Sequence, residues 1–168
     1  MKTKKVAFLG VFLALALILS YVESLIPFYF GIPGVKLGLT NLIVVVMLYL
    51  CGTKEAFGIS MLRIILAGFL FGNMFSILYS AAGGLLGFLV MYLLKRTKKL
   101  HVVSVSVAGG VSHNVGQLLI AAFVVESYNI FYYMPVLILA GVLTGFLIGI
   151  LGQEFILRFQ KFFREDGC

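Results

Sequence analysis

The chain has 168 residues, of which 62% are hydrophobic and 11% charged, with a mean hydropathy of +1.14. A soluble domain of this length cannot hide so much apolar surface, because part of any small domain faces water. That class is excluded, and an integral membrane protein is indicated. The net charge of +7 would suit nucleic acid, but the basic residues flank apolar runs, so the lipid bilayer is the expected partner and nucleic acid is not.

The apolar runs lack the period-two alternation of barrel strands, so the expected fold class is all-α, a six-transmembrane-helix bundle. The first span is residues 6–22, and "MKTKKVAFLGVFLALALILS" reads as an uncleaved first helix because many spans follow it. A loop with Pro27 and Pro33 leads to Lys36 and a second span at 37–51. The turn "GTKE" opens a third at 56–71, and "GNMF" re-enters a fourth at 75–94, stopped by "KRTKK". The fifth is 102–125 and the sixth 133–152, followed by a basic amphipathic tail over 153–168. The second and third are short enough to leave a five-span count open. Residues 1–168 read as a single membrane domain, with no linker inside it.

With six spans and an internal N-terminus, every Lys and Arg except Lys36 and Arg63 falls on one side. The positive-inside rule makes that side cytoplasmic and the protein a multi-pass protein of a bacterial-type plasma membrane, with both termini inside. Cys51 and Cys168 then lie in a reducing compartment, where free thiols are expected.

Span five carries a polar stripe. At 100° per residue, Ser106, Gly109, Gly110, His113 and Gln117 share one side, with Asn114 at its border. Unpaired amides and imidazole are costly in hydrocarbon, so the stripe faces the bundle interior, either bonding neighbouring helices or lining a cavity. Arg63 sits mid-span with no carboxylate in any span to neutralise it. It can snorkel, pair with Glu23 or Glu126 near helix ends, or meet an anionic ligand. Lys36 and Asn41 at the start of span two, Asn73 at the turn before span four, and Tyr128, Tyr132 and Tyr133 beyond span five lie on the same outer side. Their convergence into one pocket, covered by the loop at 24–35, is the ligand-binding expectation. Each taken singly is an ordinary structural residue.

Rows of small residues mark close helix contacts: Gly141, Gly145 and Gly149 in span six; Ser76, Ser80, Gly83, Gly84 and Gly87 in span four; Gly10 and Ala14 in span one. The last pair is the expected docking face for a partner protein. No G-x-x-x-x-G-K-[ST] loop occurs, Asp166 is the one aspartate, and the two histidines are far apart. Catalytic, metal and cofactor sites are therefore not expected.

The segments "GVKLGLTNLIVVVMLYLCG", "LRIILAGFLFGNMFSILYSAAGGLLGFLVMYLLKR" and "GGVSHNVGQLLIAAFVV" resemble the heptaprenyl diphosphate synthase component I family, also labelled Gx transporter, over nearly the whole chain. More loosely, the chain resembles the substrate-binding S components of energy-coupling factor transporters. That resemblance implies six helices, an outward pocket capped by the first loop, and helix-one docking through Gly10 and Ala14 to a membrane coupling subunit with its ATPase module. It places the ligand on Lys36, Asn41, Arg63, His113, Asn114 and Gln117. The enzymatic family name fits poorly, since prenyl diphosphate synthases hold magnesium diphosphate through aspartate-rich motifs absent here. The alternative is a non-catalytic accessory subunit in isoprenoid quinone synthesis or membrane electron transfer.

Overall fold

The computed structural model describes residues 2–25 and 38–166, with side chains over 3–25 and 38–163. They form α1 (Lys2–Leu25), α2 (Leu39–Leu50), α3 (Thr53–Phe71), α4 (Met74–Arg96), α5 (Val102–Val125), a 3-10 turn at Tyr128–Tyr133, and α6 (Met134–Asp166). Four of these stretches are long and apolar enough to cross a membrane: α1, α4, α5 and the stretch Tyr128–Phe163, which contains α6. The other two are the short spans of the sequence reading. α2 has 12 residues, about 18 Å, against a hydrocarbon core of about 30 Å. α3 has 19 residues but carries Lys54, Glu55 and Arg63.

The segment expected as an amphipathic tail continues the last helix. α6 runs unbroken for 33 residues to Asp166, because nothing between Gly152 and Phe163 stops a helix: there is no proline, and Glu154 pairs with Arg158 at 2.9 Å one turn on. Cys168, one of the two cysteines expected as free thiols, lies outside the described residues.

The helices run up and down. Phe8 and Phe12 of α1 pack on Phe163 of α6 at one end, where Lys5 also meets Glu55 at 2.6 Å. That bond from the Lys5 ammonium holds the Glu55 carboxyl below its usual range. At the other end Tyr21 of α1 stacks near Phe71 of α3, with ring centroids 5.0 Å apart.

α2 is apolar all round, which suits a helix buried on all sides. Val45, Met47 and Leu48 are all but sealed from solvent. Both its ends are tied by charges from other helices. Glu23 of α1 accepts from the backbone N–H of Gly38 and of Leu39, and Lys95 of α4 donates to the carbonyl of Leu48. Each charge has the sign that complements the helix dipole.

Glycines set the spacing of α4, α5 and α6. A Cβ on Gly116 would lie 2.8 Å from the Ala82 carbonyl oxygen, and one on Gly110 2.7 Å from that of Gly141. One on Gly145 would lie 2.7 Å from Val107 Cα. The glycine rows of spans four and six therefore pack within the chain. Gly10 has nothing within 4 Å, and both it and Ala14 are exposed on α1.

Gly52, between α2 and α3, has φ 121° and ψ 175°, a conformation open essentially to glycine alone. Gly52→Ala is expected to lower stability by about 1–3 kcal/mol, read as a fall in melting temperature of the detergent-solubilised protein. An unchanged melting temperature would mean that the turn relaxes freely.

Candidate functional site

The start of α2, at Leu39, borders a cavity. The six helices enclose about 150 Å³ there, at the end of the bundle remote from the N-terminus. α1 contributes Ser20, Glu23 and Ser24, and the α2 start contributes Gly38, Thr40 and Asn41. Arg63, Ile64, Ala67, Gly68 and Phe71 come from α3, with Gly72 just beyond it; Ser76 and Ser80 come from α4. α5 brings Gly110, His113, Asn114 and Gln117, and α6 brings Thr144.

The polar stripe of α5 thus splits by function. Ser106 is buried among helices. Asn114 donates to the carbonyl of Leu137 at 2.8 Å and so fastens α5 to α6 while bordering the cavity. Gln117 is 1% exposed, and neither its Nε2 nor its Oε1 has a hydrogen-bond partner. Its Cγ packs against Gly83, where a Cβ would approach to 2.7 Å. Arg63 is 8% exposed and its Nε is likewise unpaired. Leaving such groups buried and unpaired costs about 1–3 kcal/mol each, and more when charged. The cavity is several times larger than one water requires.

Five of the seven residues expected at a binding site, Asn41, Arg63, His113, Asn114 and Gln117, line this space. Asn73 does not. It is exposed and caps α4, its Oδ1 accepting from Ser76 N at 2.8 Å, as a turn asparagine before a helix commonly does. Lys36 and residues 26–35 of the expected covering loop lie outside the described residues, whereas Ser24 and Leu25 belong to α1. Glu126 is the exposed C-cap of α5, and Tyr128 and Tyr132 are strongly exposed; none of these lines the cavity.

The sequence reading missed the hydroxyls and the position of Glu23. Ser20, Glu23 and Ser24 stand at i, i+3 and i+4, one helical face, and that spacing was the available signal. The hydroxyls of Ser20, Ser24 and Thr144 donate to Ala16, Tyr21 and Ala140 carbonyls of their own helices, which leaves those oxygens as acceptors. Among the described residues no group of three His, Cys, Asp or Glu is placed to hold a metal ion.

A family model described as heptaprenyl diphosphate synthase component I matches residues 12–155. The chain belongs to that family. No curated protein and no solved structure matches it.

Proposed function

We propose that this member of the heptaprenyl diphosphate synthase component I family is a membrane-embedded binding protein that captures a small polar molecule in the six-helix cavity. The reading rests on one observation: Arg63 and Gln117 are buried beside a hollow with polar atoms that nothing in the described protein satisfies. All 168 residues act as one membrane domain, with α2 and α3 completing the bundle. In this reading both termini are cytoplasmic and the cavity lies toward the outside of a bacterial-type plasma membrane, which the distribution of Lys and Arg supports. The family's printed name describes a component, which fits a protein that works with partners. In the S-component-like form of the reading, the exposed Gly10 and Ala14 face of α1 meets a membrane coupling subunit, and a separate ATPase module drives uptake. No catalytic role is assigned to the chain.

Native mass spectrometry of gently extracted protein tests the binding reading. The expected result is a retained small molecule on the wild type that is lost from Gln117→Met, a variant of similar shape without the carboxamide. Protein that carries nothing in either form overturns it.

The family name favours a second reading, a non-catalytic accessory subunit of heptaprenyl diphosphate or quinone synthesis. Co-purification with a prenyltransferase and not with an ATPase module would select it.

A further inference from the structure

The unsatisfied atoms also restrict what can bind. This inference rests on the binding reading above and narrows the ligand class. Arg63 Nε is an unpaired donor on a cation that is more than nine-tenths buried. The ion pairs seen among the described residues, Lys5–Glu55 and Arg158–Glu154, do not include it. Glu23, the acidic residue in the described lining, acts on Arg63 through space, but its Oε1 accepts from two backbone N–H groups of α2, so it compensates the guanidinium only in part. A guanidinium this deeply buried is expensive unless its charge and all its donors are compensated. Gln117 adds one unpaired donor and one unpaired acceptor, and this holds whichever way its carboxamide is turned. The hydroxyl oxygens of Ser20, Ser24 and Thr144 add acceptors, because their protons are committed elsewhere.

We infer that the cavity takes a small anion, carboxylate or phosphate, that carries its own N–H or O–H donor. The anionic oxygen is received by Arg63 and the N–H of Gln117, and the ligand's donor is received by Gln117 Oε1 and the neighbouring hydroxyl oxygens. A neutral amide leaves the guanidinium with Glu23 alone, a carboxylate already shared with the start of α2. A plain carboxylate leaves the acceptors unpaired. An anion with a donor satisfies both.

The test is a thermal-shift titration of the detergent-solubilised full chain with four probes: glycolate, acetate, glycolamide and monohydrogen phosphate. Glycolate should act at a concentration at least about tenfold below acetate and at least about tenfold below glycolamide, the factor expected for one charge-assisted hydrogen bond. Monohydrogen phosphate, which also carries a donor, should stabilise too. A half-effect below that of glycolate marks phosphate chemistry in the ligand, and one above it marks carboxylate chemistry. Gln117→Met should abolish the glycolate preference over acetate while keeping acetate above glycolamide. Arg63→Gln should abolish the preference for glycolate over glycolamide, and Arg63→Lys should restore part of it. A variant that is merely misfolded cannot produce this crossed pattern. Glycolamide matching glycolate, a Gln117→Met protein that still discriminates, or no shift with any probe overturns the inference. A neutral molecule retained in native mass spectrometry would sink the anion while sparing the binding reading. No retained molecule and no shift would remove both.

Discussion

Gly145→Val is expected to break the seam between α5 and α6 and to give the largest loss of stability of any single change considered. A Cβ there would sit 2.7 Å from Val107 Cα and 2.9 Å from the Ser106 carbonyl oxygen, so the obstruction is backbone and cannot be relieved by a rotamer change. The two helices must move apart, and overpacking of this kind costs about 1–3 kcal/mol, with valine's two methyl groups at the upper end. Separation of α5 from α6 also strains the Asn114 bond to Leu137, which crosses the same seam near the cavity. The measurement is a chemical or thermal unfolding curve in detergent, with Gly10→Ala as the control. Gly10 has open space around it, so alanine there should be neutral or stabilise by up to about 1 kcal/mol through helix propensity. Equal losses in the two variants would mean that the glycine row does not set the helix spacing.

Gln117→Met is expected to make the empty protein more stable, by about 1–3 kcal/mol, while removing ligand retention. The wild-type carboxamide is 1% exposed with both polar atoms unpaired, a standing penalty that a methionine of similar length and shape does not carry. Residues of this kind persist where function needs an unsatisfied group, and their removal trades activity for stability. The comparison must be made on protein stripped of ligand, because a bound molecule stabilises the wild type and masks the difference. A lower melting temperature for the stripped Gln117→Met protein would show that the carboxamide is already paired in the folded chain. The cavity would then lose the group that defines it.

Much of the architecture was legible from the order of residues. The breaks at "GTKE", "GNMF" and "KRTKK" mark the junctions of α2 with α3, α3 with α4, and α4 with α5, although α3 already begins at Thr53 inside the first of them. The polar stripe on α5 pointed inward for a reason that needs no coordinates, since hydrocarbon offers no partner to an imidazole or an amide. The end of α6 was not legible, because a charged amphipathic tail and a continuing helix share one sequence pattern. The role of Asn73 was not legible for a related reason: an asparagine at a turn has the same composition signal whether it caps a helix, as it does here, or meets a ligand.

By itself the sequence determined an all-helical, strongly apolar chain with a cation in mid-span and a one-sided polar helix, because those properties follow from composition and a fixed helical repeat. Only the tertiary structure decided that Asn114 is a fastener, that the Gln117 carboxamide and Arg63 Nε lack hydrogen-bond partners, and that Glu23 holds the start of a helix fifteen residues away. Whether a polar atom is satisfied depends on which neighbouring helix comes within hydrogen-bond distance. That is set by interhelical packing through glycines, and no single helix encodes it.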